Sequence, residues 1–118
     1  NGILNLFLLD ANTSLLENLV AVTLFRKYGR ENAVFFYNNG IELDFYVPEA
    51  KLAVQVCYSL SDSDTFKRET TSLLKATSVL ESETLLIVTR DEEKTIEISG
   101  NVIHAVPIWK WLLSQSWN

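Results

Sequence analysis

Two carboxylates and one amide interrupt the apolar pattern in the middle of this chain. Glu42 and Asp44 lie in Asn39-Gly40-Ile41-Glu42-Leu43-Asp44-Phe45-Tyr46-Val47, and Gln55 lies in Lys51-Leu52-Ala53-Val54-Gln55-Val56-Cys57. Both segments read as β-strands, along which side chains alternate between faces. Glu42 and Asp44 are therefore expected on one face, and Gln55 with Cys57 on one face of the next strand. If those faces coincide, oxygen donors gather at the middle of a sheet, and Glu17 on a preceding helix adds another. A hard cation such as Mg²⁺ takes oxygen ligands in an octahedron and keeps several waters. Held there, it would polarise a phosphodiester and activate water.

Each of these residues also has a purely structural reading. Ser14-x-x-Glu17 is a capping-box pattern. Glu42 fits the solvated side of a hairpin. Gln55 needs hydrogen-bond partners in a central strand whatever its role. Cys57 suits a small buried hydrophobe. Asp44 is harder to explain away, because aspartate is a poor strand former.

Elements able to position these groups follow from local pattern. A helix is expected from Ser14 to Tyr28, with Leu15, Leu16, Leu19, Val20, Val22 and Phe25 as its apolar stripe and Gly29 as its C-cap. Strands follow at Ala33–Tyr37, Ile41–Val47 and Leu52–Tyr58, separated by an Asn38-Asn39-Gly40 turn and by Pro48-Glu49-Ala50. They make an antiparallel meander. Ser59 to Asp64 opens a second helix buried through Phe66, Leu73, Leu74 and Leu80. Leu85–Thr89 is an apolar strand, placed parallel to the third by a right-handed crossover. A hairpin of Thr95–Ile98 and Val102–Val106 comes next, then a short helix, Ile108–Leu113, anchored by Trp109 and Trp111. The apolar run of the first 12 residues suits either a strand or a helix end. This is an α/β fold with a mixed sheet flanked by helices, read as one domain over residues 1–118.

Composition narrows the chemistry. The chain has 118 residues, 47% hydrophobic and 21% charged, as a globular domain requires. Four well-separated glycines form no phosphate-binding loop. One cysteine, Cys57, excludes an internal disulfide and a cysteine-based zinc site, and suits a cytoplasmic setting. The single histidine, His104, reads as an ordinary strand residue. No apolar run is long enough to span a bilayer. The net charge of −5 opposes strong nonspecific nucleic-acid binding by this chain alone. Arg26, Lys27 and Arg30 cluster after the first helix, and Lys67, Arg68 and Lys75 lie along the second. A first residue other than Met suggests a piece of a longer protein.

Leu16-Glu17-Asn18, Gly40-Ile41-Glu42-Leu43-Asp44-Phe45 and Val54-Gln55-Val56-Cys57-Tyr58, in that order, resemble the PD-(D/E)XK nuclease superfamily, the restriction-endonuclease-like fold with its αβββαβ core. More closely, with Arg68-Glu69 and the stretch from Trp109 to Leu113, the chain resembles the C-terminal domain of unknown function of prokaryotic AAA-type ATPases. The resemblance covers nearly everything after about residue 13. It implies a nuclease-like domain whose partners are DNA and the N-terminal ATPase region of the same polypeptide. It implies Glu17, Asp44 and Gln55 as the catalytic and Mg²⁺-binding residues. Cys57 occupies the lysine position, where a cation would stabilise charge or orient water. Gln55 supplies an acceptor without charge. Both departures imply weakened or lost hydrolysis. The alternative is a non-catalytic module of the same fold that binds DNA or protein.

Overall fold

The computed structural model describes residues 13–29, 35–38 and 42–115, the strand at 35–38 by its backbone alone. The expected readings of the first 12 residues, of Arg30, of Ala33 and of the Asn39-Gly40 turn lie outside these residues. Helix α1 is Thr13–Tyr28, followed by strands β1 (Phe35–Asn38), β2 (Glu42–Val47) and β3 (Leu52–Val56). Helix α2 (Ser63–Thr77) leads to β4 (Thr84–Thr89), β5 (Lys94–Ile98), β6 (Asn101–Pro107) and helix α3 (Ile108–Gln115).

The strands form one six-stranded mixed sheet in the order β1-β2-β3-β4-β6-β5. The first three pair antiparallel, as the meander predicts. The β3–β4 and β4–β6 pairs are parallel, and β5 closes the far edge antiparallel to β6. Parallel neighbours explain the continuous apolar runs of β3 and β4: the sheet is covered on both faces, so both sets of side chains are buried.

Two apolar layers hold the helices to the sheet. On one face Leu16, Val20 and Leu24 of α1 and Ile108 and Trp111 of α3 pack on Val47, Leu52, Val54, Val56, Leu86 and Val88. Leu16, Val20 and Leu24 recur every fourth residue, one stripe of a helix. On the other face Leu73 and Ala76 of α2 meet Leu43, Tyr46, Ala53, Leu85, Ile87, Ile103 and Ala105. Asp62 starts α2 by accepting a hydrogen bond from Thr65 N–H at 3.0 Å, the usual way to satisfy an orphan donor of a first turn.

Some boundaries differ from the sequence reading for local reasons. Strand β3 ends at Val56, so Cys57 and Tyr58 lie past it, although Cys57 N–H still donates to Val88 O at 3.0 Å. Helix α2 begins at Ser63 rather than in the serine-rich run before it, because the Asp62 side chain fixes the start. Ser14 lies inside α1, not at its cap. Trp111 is buried at 6% exposure while Trp109 is 42% exposed, so one tryptophan of the pair anchors α3. His104 is an exposed residue of β6 opposite Thr95.

Strand β2 breaks strict alternation. Phe35 faces Tyr46 and Tyr37 faces Leu43, so two steps along β1 match three along β2. The extra residue is a bulge at Asp44-Phe45, a device that re-aims side chains. In consequence Leu43 and Tyr46 share the layer under α2, and Phe45 and Val47 share the other. The expectation that Glu42 and Asp44 sit on one face by simple alternation does not describe this strand.

Candidate functional site: a carboxylate hollow where two strands part

The β2–β3 ladder runs through Val47–Leu52, Tyr46–Ala53 and Phe45–Val54 and then stops. Beyond it, side chains replace the ladder. Asp44 N–H donates to Gln55 Oε1 at 2.8 Å, and Gln55 Nε2 donates to Glu42 O at 2.9 Å. In return, Val56 N–H donates to Asp44 Oδ2 at 2.7 Å. An orphaned buried amide or carbonyl costs about 1–3 kcal/mol, and these three bonds satisfy the groups that the parting strands would otherwise strand. Gln55, 3% exposed, is thus a clasp between β2 and β3.

A hollow of about 530 Å³ opens where the strands part, between the first turns of α1 and α2. Glu17, Glu42, Asp44 and Glu69 line it, with Cys57, Asp62 and Arg68 among the other walls. Of the three residues expected to form the centre, Glu17 and Asp44 meet here. The lining does not include Gln55, whose amide faces the β2 backbone. Among the described residues, no three histidine, cysteine, aspartate or glutamate side chains are grouped so as to hold a metal ion.

Burial and mutual repulsion set the electrostatics. Burial pushes the Asp44 carboxyl up to about 6, the Val56 N–H opposes this, and Glu17 and Glu42 add to it. Glu69 is also raised, first by burial and then by Asp44, with Arg68 pulling the other way. The Arg68 guanidinium stands 3.5 Å from the Glu69 carboxylate. Burial raises the Cys57 thiol to about 12, helped by Glu69, Glu92 and Asp44. A thiol so placed carries no positive charge and releases no thiolate near neutral pH, so it supplies neither the cation of a lysine nor a nucleophile.

Glu69 is the group that sequence reading underrated. Taken with Arg68 as a surface pair, it is 8% exposed instead. The signal was present in the helix: Phe66, Glu69, Leu73 and Ala76 follow helical spacing, so Glu69 falls within the apolar stripe of α2. A charge there needs a partner or a function.

No protein-family model matches the chain, and no solved structure matches it. A protein of Methanocaldococcus jannaschii, described only as uncharacterized, is similar: 35% identical over 109 residues, spanning 85% of this chain and 24% of that protein. The chain thus covers about a quarter of its relative's length. No helix among the described residues is long and apolar enough to cross a membrane.

Proposed function

We propose that this chain is a restriction-endonuclease-like module of an AAA-type ATPase that has kept the acids of a nuclease centre and given up hydrolysis. It acts in the cytoplasm as an interaction domain for the ATPase region and for nucleic acid. The observation that carries this reading is the use of the clasp. Gln55, at the position of a second ligand, spends both polar atoms of its amide on the β2 backbone. Cys57, at the position of the lysine, is a buried neutral thiol. Neither can raise the reactivity of a water molecule toward a phosphodiester. Incubating supercoiled plasmid with the chain and Mg²⁺ or Mn²⁺ tests it: no nicking above that of the Asp44→Ala variant is expected, and nicking abolished by that substitution would overturn the proposal.

A second reading, favoured by the mutual repulsion of the hollow's carboxylates, keeps Mg²⁺ as a bound ion without hydrolysis. Glu17, Glu42, Asp44 and Glu69 are its donors, since a hard cation relieves the repulsion that raises Asp44 and Glu69. Calorimetric titration with Mg²⁺ and Mn²⁺ separates the two. Saturable heat lost in Asp44→Ala supports the second reading, and no heat at millimolar metal removes it.

A further inference from the structure

We infer that the exposed flank of α2 is a groove for the sugar-phosphate backbone of a nucleic-acid strand. This rests on the reading of the chain as a nuclease-fold interaction module, and it names the surface and the chemistry recognised. A hollow of about 490 Å³ runs beside α2, lined by Lys67, Arg68, Thr71, Ser72 and Lys75, with Glu42 and Asp64 also on its walls. Lys67, Thr71 and Lys75 are spaced by four residues and form one exposed row along the helix. At 1.5 Å per residue, Lys67 and Lys75 are about 12 Å apart along the axis. That is the rise of about three to four phosphates of one strand.

Neither lysine forms an ion pair with another described residue, whereas Lys51, Lys94 and Lys110 each do. Two free ammonium groups with hydroxyls between them match a regularly charged backbone, whose oxygens accept from both. The open shape suits an extended chain rather than an enclosed small molecule. Arg68 and Glu42 line both this groove and the carboxylate hollow, so the two adjoin. The hollow's negative charge repels phosphates. A strand therefore lies along α2 and stays out of the hollow, which agrees with a domain that binds without cutting.

Fluorescence anisotropy with a labelled single strand of about 12 nucleotides tests the groove. Saturable binding in low salt is expected, weakened at least about tenfold by the double substitution Lys67→Gln and Lys75→Gln. The double variant should also lower the slope of log affinity against log salt by about two. Lys110→Gln, on α3, should leave binding unchanged. Both α2 lysines are exposed, so the variant is expected to keep the wild-type circular dichroism and melting. No saturable binding, equal binding by the double variant, or displacement by polyglutamate at equal charge would overturn the inference, the last by pointing to an acidic protein. The readings fail separately. Plasmid nicking overturns the non-catalytic proposal and leaves the groove standing, whereas absent binding without nicking does the reverse.

Discussion

The Asp44 carboxyl is held at about 6 in the folded chain against an ordinary value of 3.8. Between those values the native state keeps a proton that the unfolded chain has lost. Stability therefore falls as pH rises through that window, and the whole penalty is felt above about pH 6. Asn in place of Asp44 removes the buried charge and still accepts from Val56 N–H. Asp44→Asn should raise stability by up to about 3 kcal/mol near neutral pH and change it little near pH 4. Urea unfolding at the two pH values measures this, and equal destabilisation at both would show that the carboxylate is structurally required. Gln55 behaves in the opposite way. A carboxylate there cannot donate to Glu42 O and faces Asp44, so Gln55→Glu should cost about 2–4 kcal/mol by the same unfolding assay. The Cys57 thiol, raised to about 12, should resist alkylation in the folded state at neutral pH and react once urea unfolds the chain.

Among the elements, α3 gives the clearest contrast. Trp111 and Ile108 sit in the layer that α1 and α3 share over the sheet, while Trp109 points mostly outward. Trp111→Ala should lose about 3–5 kcal/mol, and Trp109→Ala no more than about 0.5 kcal/mol, read as shifts of the urea midpoint. The sequence showed two tryptophans two residues apart, and on a helix such neighbours face different ways. Treating both as anchors missed that. Most element types and their order were legible, because hydrophobic period and turn residues are local signals: the α1 stripe, the Pro48 stop and the apolar β4 run each announce themselves. The β2 bulge was not, since an extra residue in one strand is decided by pairing with another. The clasp was hidden for the same reason. Gln55 was read as a ligand because its partners, the β2 backbone groups, have no sequence signature.

Over the whole molecule, charge is divided rather than merely negative. Four carboxylates from α1, β2 and α2 share one hollow, and a cationic row lies beside it on the same helix. The net charge of −5 pointed away from nucleic acid, because a sum cannot report that two free lysines stand in a row. The antiparallel meander joined to parallel strands, with helices on both faces, is the architecture the resemblance implies, and it brings Glu17 and Asp44 together across some 27 residues of chain. It does not by itself restore a catalyst, because chemistry resides in the groups placed at the site. The most direct measurement of the account is plasmid nicking by the wild-type chain in Mg²⁺ and in Mn²⁺, beside Asp44→Ala. The account predicts identical, background-level nicking for both proteins, and metal-dependent nicking by the wild type that Asp44→Ala abolishes would contradict it.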